Sequence, residues 1–69
     1  MFKMKIEKQL NIKDRTLLSG VAEYDAIPDA VSVDGNSYKV IGTSYGVKLP
    51  YVSLEIEKTD NNLEGKEIE

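Results

Sequence analysis

Residues Phe2 to Ile12 set the pattern for the chain. Phe2, Met4, Ile6, Leu10 and Ile12 occupy alternate positions, with Lys3, Lys5, Glu7, Gln9 and Asn11 between them. Successive side chains of a strand leave opposite faces, so the segment reads as a strand with one apolar and one wet face. Only Lys8 interrupts the alternation. The run exceeds the usual ~5–6 residues of a strand, so it is expected to bend near Lys8 and serve two sides of a curved sheet.

Further strands follow. Thr16 to Ala22 is rich in β-compatible residues, and the adjacent Leu17 and Leu18 imply cover on both faces. Gly20 inside that pattern marks a bulge, a bend or a close backbone approach. Glu23 to Asp29 reads as a connection, because Pro28 cannot donate to a ladder and holds Ile27 extended. Asp34-Gly35 between Val31-Ser32-Val33 and Asn36–Ile41 predicts a two-residue type I′ hairpin. Its register sets Val33 opposite Asn36 and Val31 opposite Tyr38, with Val31, Val33, Tyr38 and Val40 on one face. Gly42 to Pro50 reads as a mobile loop. Tyr51 to Lys58 alternates again, Val52, Leu54 and Ile56 inward and Tyr51, Ser53, Glu55 and Glu57 outward. A polar turn at Thr59–Asn62 precedes a short last strand through Leu63 and Ile68. No helical period persists for ten residues.

These signals predict one all-β domain over 1–69, a small closed or nearly closed antiparallel β-barrel of about six strands. Closure suits so short a chain, since it leaves few exposed strand edges. With 69 residues and no cysteine, stability rests on the apolar core and the sheet. The chain also lacks histidine and tryptophan. It is therefore without the commonest general base and the commonest transition-metal ligands. Glu23, Asp25 and Asp29 could offer oxygen ligands to a hard cation, but their spacing fits no calcium loop. Gly42-Thr43-Ser44-Tyr45-Gly46 could cradle a phosphate, yet no helix follows it. No enzyme, cofactor or metal is expected.

Charge adds an asymmetry. The net charge of −3 opposes sequence-independent nucleic-acid binding and gives no reason to expect DNA. Lys3, Lys5, Lys8, Lys13 and Arg15 nevertheless crowd the first fifteen residues, while Glu55, Glu57, Asp60, Glu64, Glu67 and Glu69 mark the last nineteen. The simplest reading pairs Lys3 and Lys5 with Glu55 and Glu57 across neighbouring strands. The sharper one makes Lys3, Lys5, Lys13 and Arg15 a phosphate-contacting patch. Tyr45 and Tyr51, with Lys48, form a candidate protein-binding surface, since aromatic residues are enriched at interfaces. Tyr24 and Tyr38 read instead as caps on the barrel ends, ring buried and hydroxyl wet. No signal-peptide core or bilayer-spanning stretch occurs, so no membrane partner and a cytoplasmic location are expected.

The order of these segments resembles the β-barrel second domain of translational GTPases such as elongation factor Tu. Ile12-Lys13-Asp14-Arg15-Thr16-Leu17-Leu18-Ser19-Gly20 is similar to the family's Ile/Val-x-Gly-Arg-Gly-Thr-Val-Val-Thr-Gly, without the glycine between Arg and Thr. Ala26-Ile27-Pro28 and Ala30-Val31-Ser32-Val33-Asp34-Gly35 fall where the family has Gly-x-Ile/Leu and Gly-Asp-x-Val-x-Ile, again without its glycines. Val52-Ser53-Leu54-Glu55-Ile56 and Leu63-Glu64-Gly65-Lys66-Glu67-Ile68 match its last two patterns. The resemblance spans nearly the whole chain and implies the barrel fold. It also implies a role beside a GTPase domain, tRNA or the ribosome, although the chain has no Gly-x-x-x-x-Gly-Lys-Ser/Thr motif. Two functional expectations follow: a non-catalytic, monomeric or weakly self-associating protein-binding module, or an RNA- or ribosome-associated accessory module.

Overall fold

The computed structural model describes residues 2–45 and 51–68. They contain six strands and no helix: β1 (Lys3–Asn11), β2 (Arg15–Glu23), β3 (Ala30–Val33), β4 (Asn36–Tyr45), β5 (Tyr51–Glu57) and β6 (Glu67–Ile68). All neighbours run antiparallel in the order β3-β4-β5-β2-β1-β6. The sheet curls until its edges, β3 and β6, come into contact without a backbone ladder between them. The result is a nearly closed barrel. Lys66 Nζ reaches Asp34 Oδ2 at 2.5 Å and ties the β3–β4 turn to the segment entering β6. Phe2, Met4, Ile6, Leu18, Val52, Leu54, Ile56 and Ile68 fill the interior with the hairpin's Val31, Val33 and Tyr38.

The bend in β1 falls where Lys8 breaks the alternation. Ile6 pairs with Gly20 and Lys8 with Ser19, which leaves Glu7 as an extra residue in a β-bulge. At this point β1 runs very close to β2: a Cβ on Gly20 would lie 1.9 Å from the Lys5 carbonyl oxygen. The freed backbone of Ile6 bonds elsewhere, its N–H to Lys66 O (2.9 Å) and its carbonyl from Gly65 N (2.8 Å).

The bulge has a second effect that corrects the simple alternation. Glu7 and Lys8 both lie outside, so the phase of the strand flips after them. Gln9 and Asn11 now stand opposite the buried Leu18 and Thr16, whereas Leu10 and Ile12 face solvent. Leu10 is 58% exposed and Ile12 39%. These two amides close one barrel end. Gln9 Nε2 donates to Asn61 O (2.9 Å), and Leu63 N donates to Gln9 Oε1 (2.7 Å). Thr16 Oγ1, fully buried, donates to Asn11 Oδ1 (2.8 Å) and accepts from Thr59 N (3.1 Å). Asn61 Nδ2 donates to the hydroxyl of Tyr38, whose ring is buried. Tyr38 thus caps the barrel as expected, but its hydroxyl is held by an amide. Tyr24 packs its ring 5.5 Å from that of Phe2.

Three other expectations change. Lys3 and Lys5 do not meet Glu55 and Glu57, because β2 lies between β1 and β5; Lys3 stands opposite Glu23, and Lys5 opposite Glu67. Gly42–Tyr45, expected to open a loop, instead continue β4 in register with β5; the rest of that expected loop, residues 46–50, lies outside the described part. A phosphate cradle at Gly42–Tyr45 is therefore replaced by ladder. The last strand is confined to Glu67–Ile68, with Leu63 buried from the preceding turn.

The Asp34-Gly35 hairpin forms in the predicted register, both turn residues at positive φ (54° and 82°). A Cβ at Gly35 would meet nothing within 4 Å. Gly35→Ala should therefore cost only the left-handed backbone penalty, about 1–2 kcal/mol, read as a lower urea midpoint with an unchanged slope. A cost near zero would mean that the turn relaxes to another geometry.

Candidate functional site

The outer face of β1, β2 and β5 carries most of the side chains with recognition chemistry. Strand pairing arranges them in rows. Glu67, Lys5, Val21 and Tyr51 form one row across β6, β1, β2 and β5. Lys3 and Glu23 sit one step beyond it. An open groove of about 650 Å³ runs along this end, lined by Lys3, Lys5, Glu7, Val21, Glu23 and Glu67 among others. Val21 is 44% exposed at its edge. Tyr51 is half-buried and stands across Val21 from Lys5. The structure therefore joins residues that belonged to two separate sequence proposals, Lys3 and Lys5 from one and Tyr51 from the other.

The remaining candidates lie elsewhere. Lys13 is exposed in the β1–β2 turn, a strand length from Lys5. Arg15 is committed to two carboxylates: Nε donates to Asp14 Oδ1 at 3.1 Å and Nη1 to Glu55 Oε1. The hydrogen bonds that Arg15 donates to Asp14 and Glu55 raise its pKa further, and the guanidinium beside Asp14 lowers that carboxyl below its usual range. Its charge is spent locally. Lys3, Lys5, Lys13 and Arg15 do not converge. Tyr45 ends β4 in register with Val52, and Lys48 lies outside the described residues.

Sequence reasoning missed the apolar part of this face. Leu10 stands directly opposite Leu17, next to Ile12, and Ile41 is 46% exposed at a second irregularity between Val40 and Gly42. The signals were present in Lys8, which marks the phase flip, and in the Leu17-Leu18 pair, only one of which can face the core. Above that row Ser19 Oγ and Ser53 Oγ share a 2.9 Å hydrogen bond.

Among the described residues no group of three or more His, Cys, Asp or Glu side chains could hold a metal ion. A shallow polar notch at the closed end, lined by Gln9, Asn11, Asp60, Asn61, Asn62 and Glu64, consists largely of groups already bonded in the barrel-end network. The fold and this face define a small all-β barrel with a mixed apolar, aromatic and charged outer surface. No family model, curated protein or solved structure matches the chain. The comparisons therefore add no support to the expected resemblance to the translation-factor barrel.

Proposed function

We propose that this protein is a non-catalytic protein-binding module that docks through the outer face of β1, β2 and β5. The observation that carries this reading is the outward display of Leu10, Ile12, Leu17 and Val21 beside Tyr51 and the lysines of β1. Apolar side chains grouped on one face and rimmed by charge mark interaction sites rather than ordinary surface. The bulge strengthens the case. It turns Leu10, and Ile12 just past the strand, outward and sets the amides of Gln9 and Asn11 opposite the buried Leu18 and Thr16, an arrangement that core packing alone would not favour.

The test is affinity capture from a lysate of the source organism, with and without nuclease, using the wild type, Val21→Asp and Tyr51→Ala. A nuclease-resistant partner is expected, with recovery falling about tenfold in Val21→Asp, the loss of one central contact. Undiminished capture by both variants would count against this face. Ribosomal proteins released by nuclease would favour the RNA- or ribosome-associated alternative, whose binding should also weaken steeply with salt.

A further inference from the structure

The Asp34-Gly35 turn carries chemistry that neither the barrel core nor the docking face uses. It is the one Asp-Gly pair in the chain. The Asp34 side chain is 61% exposed at the hairpin tip, where Lys66 Nζ holds its Oδ2 across the seam. Nothing lies within 4 Å of where a Gly35 Cβ would be. Among the described residues the Gly35 N–H donates to no acceptor. A carboxyl carbon and the next residue's amide nitrogen are thus uncrowded neighbours, kept apart by conformation alone.

We infer that Asp34 is a site of spontaneous backbone isomerisation through a cyclic imide. The Gly35 nitrogen attacks Cγ of the uncharged Asp34 carboxyl and a C–N bond forms. The carboxyl hydroxyl leaves with the amide proton as one water. A second water then opens the ring. Breaking the Cγ–N bond restores aspartate, whereas breaking the bond to the main-chain carbonyl leaves isoaspartate, with the chain running through Cβ and Cγ. The hairpin supplies the route. In a type I′ turn the first central residue has ψ of about +30°, which sets its Cβ and the next nitrogen nearly trans. A flip of the central peptide alone gives type II′, where that ψ is about −120° and the nitrogen eclipses Cβ. Both turns suit a two-residue hairpin, so the attack geometry is reached without unfolding the sheet. Gly35 permits the flip because it accepts either sign of φ, and β3 has no ladder to β6 that would resist it. The restraint is Lys66, which the carboxyl must leave to swing over the nitrogen. Isoaspartate adds one methylene to a turn whose length fixes the Val33–Asn36 register, so it loosens the hairpin and the seam together. The inference is independent of the docking reading.

Peptide mapping of the purified protein, incubated for weeks at neutral pH and physiological temperature, tests it. An Asp-specific protease fails to cut before isoaspartate, and the modified peptide keeps its mass. The wild type should accumulate isoaspartate at Asp34. Lys66→Ala should speed conversion about threefold, the loss of a partly exposed ion pair, while Lys66→Arg should keep the wild-type rate. Val52→Ala removes a fully buried side chain opposite the end of β4 remote from the turn. It should destabilise the fold without the same acceleration. An isolated peptide of residues 29–40 serves as the control. A wild type that stays unmodified while this peptide converts overturns the inference. So does a rate indifferent to Lys66→Ala, or one that Val52→Ala raises as much, since global unfolding rather than the turn would then set it.

Discussion

Gly20→Ala should lower the melting temperature by about 15 °C or more, an overpacking cost of about 3 kcal/mol in so small a domain. The added Cβ would lie 1.9 Å from Lys5 O, 3.0 Å from Lys5 C and 3.2 Å from Glu7 N. All three are backbone atoms, so no side chain can swing away to make room. The strands must separate at the bulge, where Ile6 also bonds to Gly65 and Lys66. Relief there would loosen β6 and the seam together. A domain of this size has about 5 kcal/mol of stability to lose, so most of its margin is at stake. Calorimetry on the purified variant decides the matter: a shift of only a few degrees would show that β1 and β2 can separate without penalty.

Gln9→Ala is the next largest, with an expected loss of about 2–3 kcal/mol. The side chain accepts from the N–H of Leu63, a residue 2% exposed, and donates to Asn61 O. Truncation leaves a donor beside the core without a partner and releases the segment that closes the barrel end. Gln9→Glu separates hydrogen bonding from packing. Its carboxylate keeps the acceptor for Leu63 N, loses the donor to Asn61 O, and lies near Glu64, whose Oε2 accepts from the Gln9 N–H at 3.0 Å. Repulsion raises the folded-state pKa of such a group, so its favourable contribution is present at low pH and lost as pH rises through that value. Gln9→Glu should therefore be destabilised at pH 7 and regain stability towards pH ~4, near the ordinary carboxylate value. Urea titrations at the two pH values measure it; equal losses at both would rule out the charge as the cause.

Much of the architecture could be read from local pattern. Alternation in Phe2–Ile6 and Val52–Ile56 depends only on the two-residue period of a strand, and the Asp34-Gly35 register depends only on turn stereochemistry. Gly20 and Lys8 were legible as irregularities. What lay beyond local pattern was the consequence of those irregularities. A single extra residue at Glu7 reverses the facing of the later side chains of β1, which sends Leu10, and Ile12 just beyond the strand, outward and Gln9 inward.

The candidate site was less legible than the fold for the same reason. Tyr51, Lys3 and Lys5 carried their chemistry in the sequence, but their grouping around Val21 depends on which strands are neighbours. Likewise the charges of Lys3, Lys5, Glu55 and Glu57 were plain, while their separation follows from the insertion of β2 between β1 and β5. By itself the sequence determined strand identity, turn chemistry and the impossibility of disulfide or histidine chemistry, all properties of residues and their near neighbours. Tertiary structure alone decided which faces met, which apolar residues stayed outside and which charges remained unpaired. Strand order and bulge phase couple residues dozens of positions apart, and no local period records that coupling.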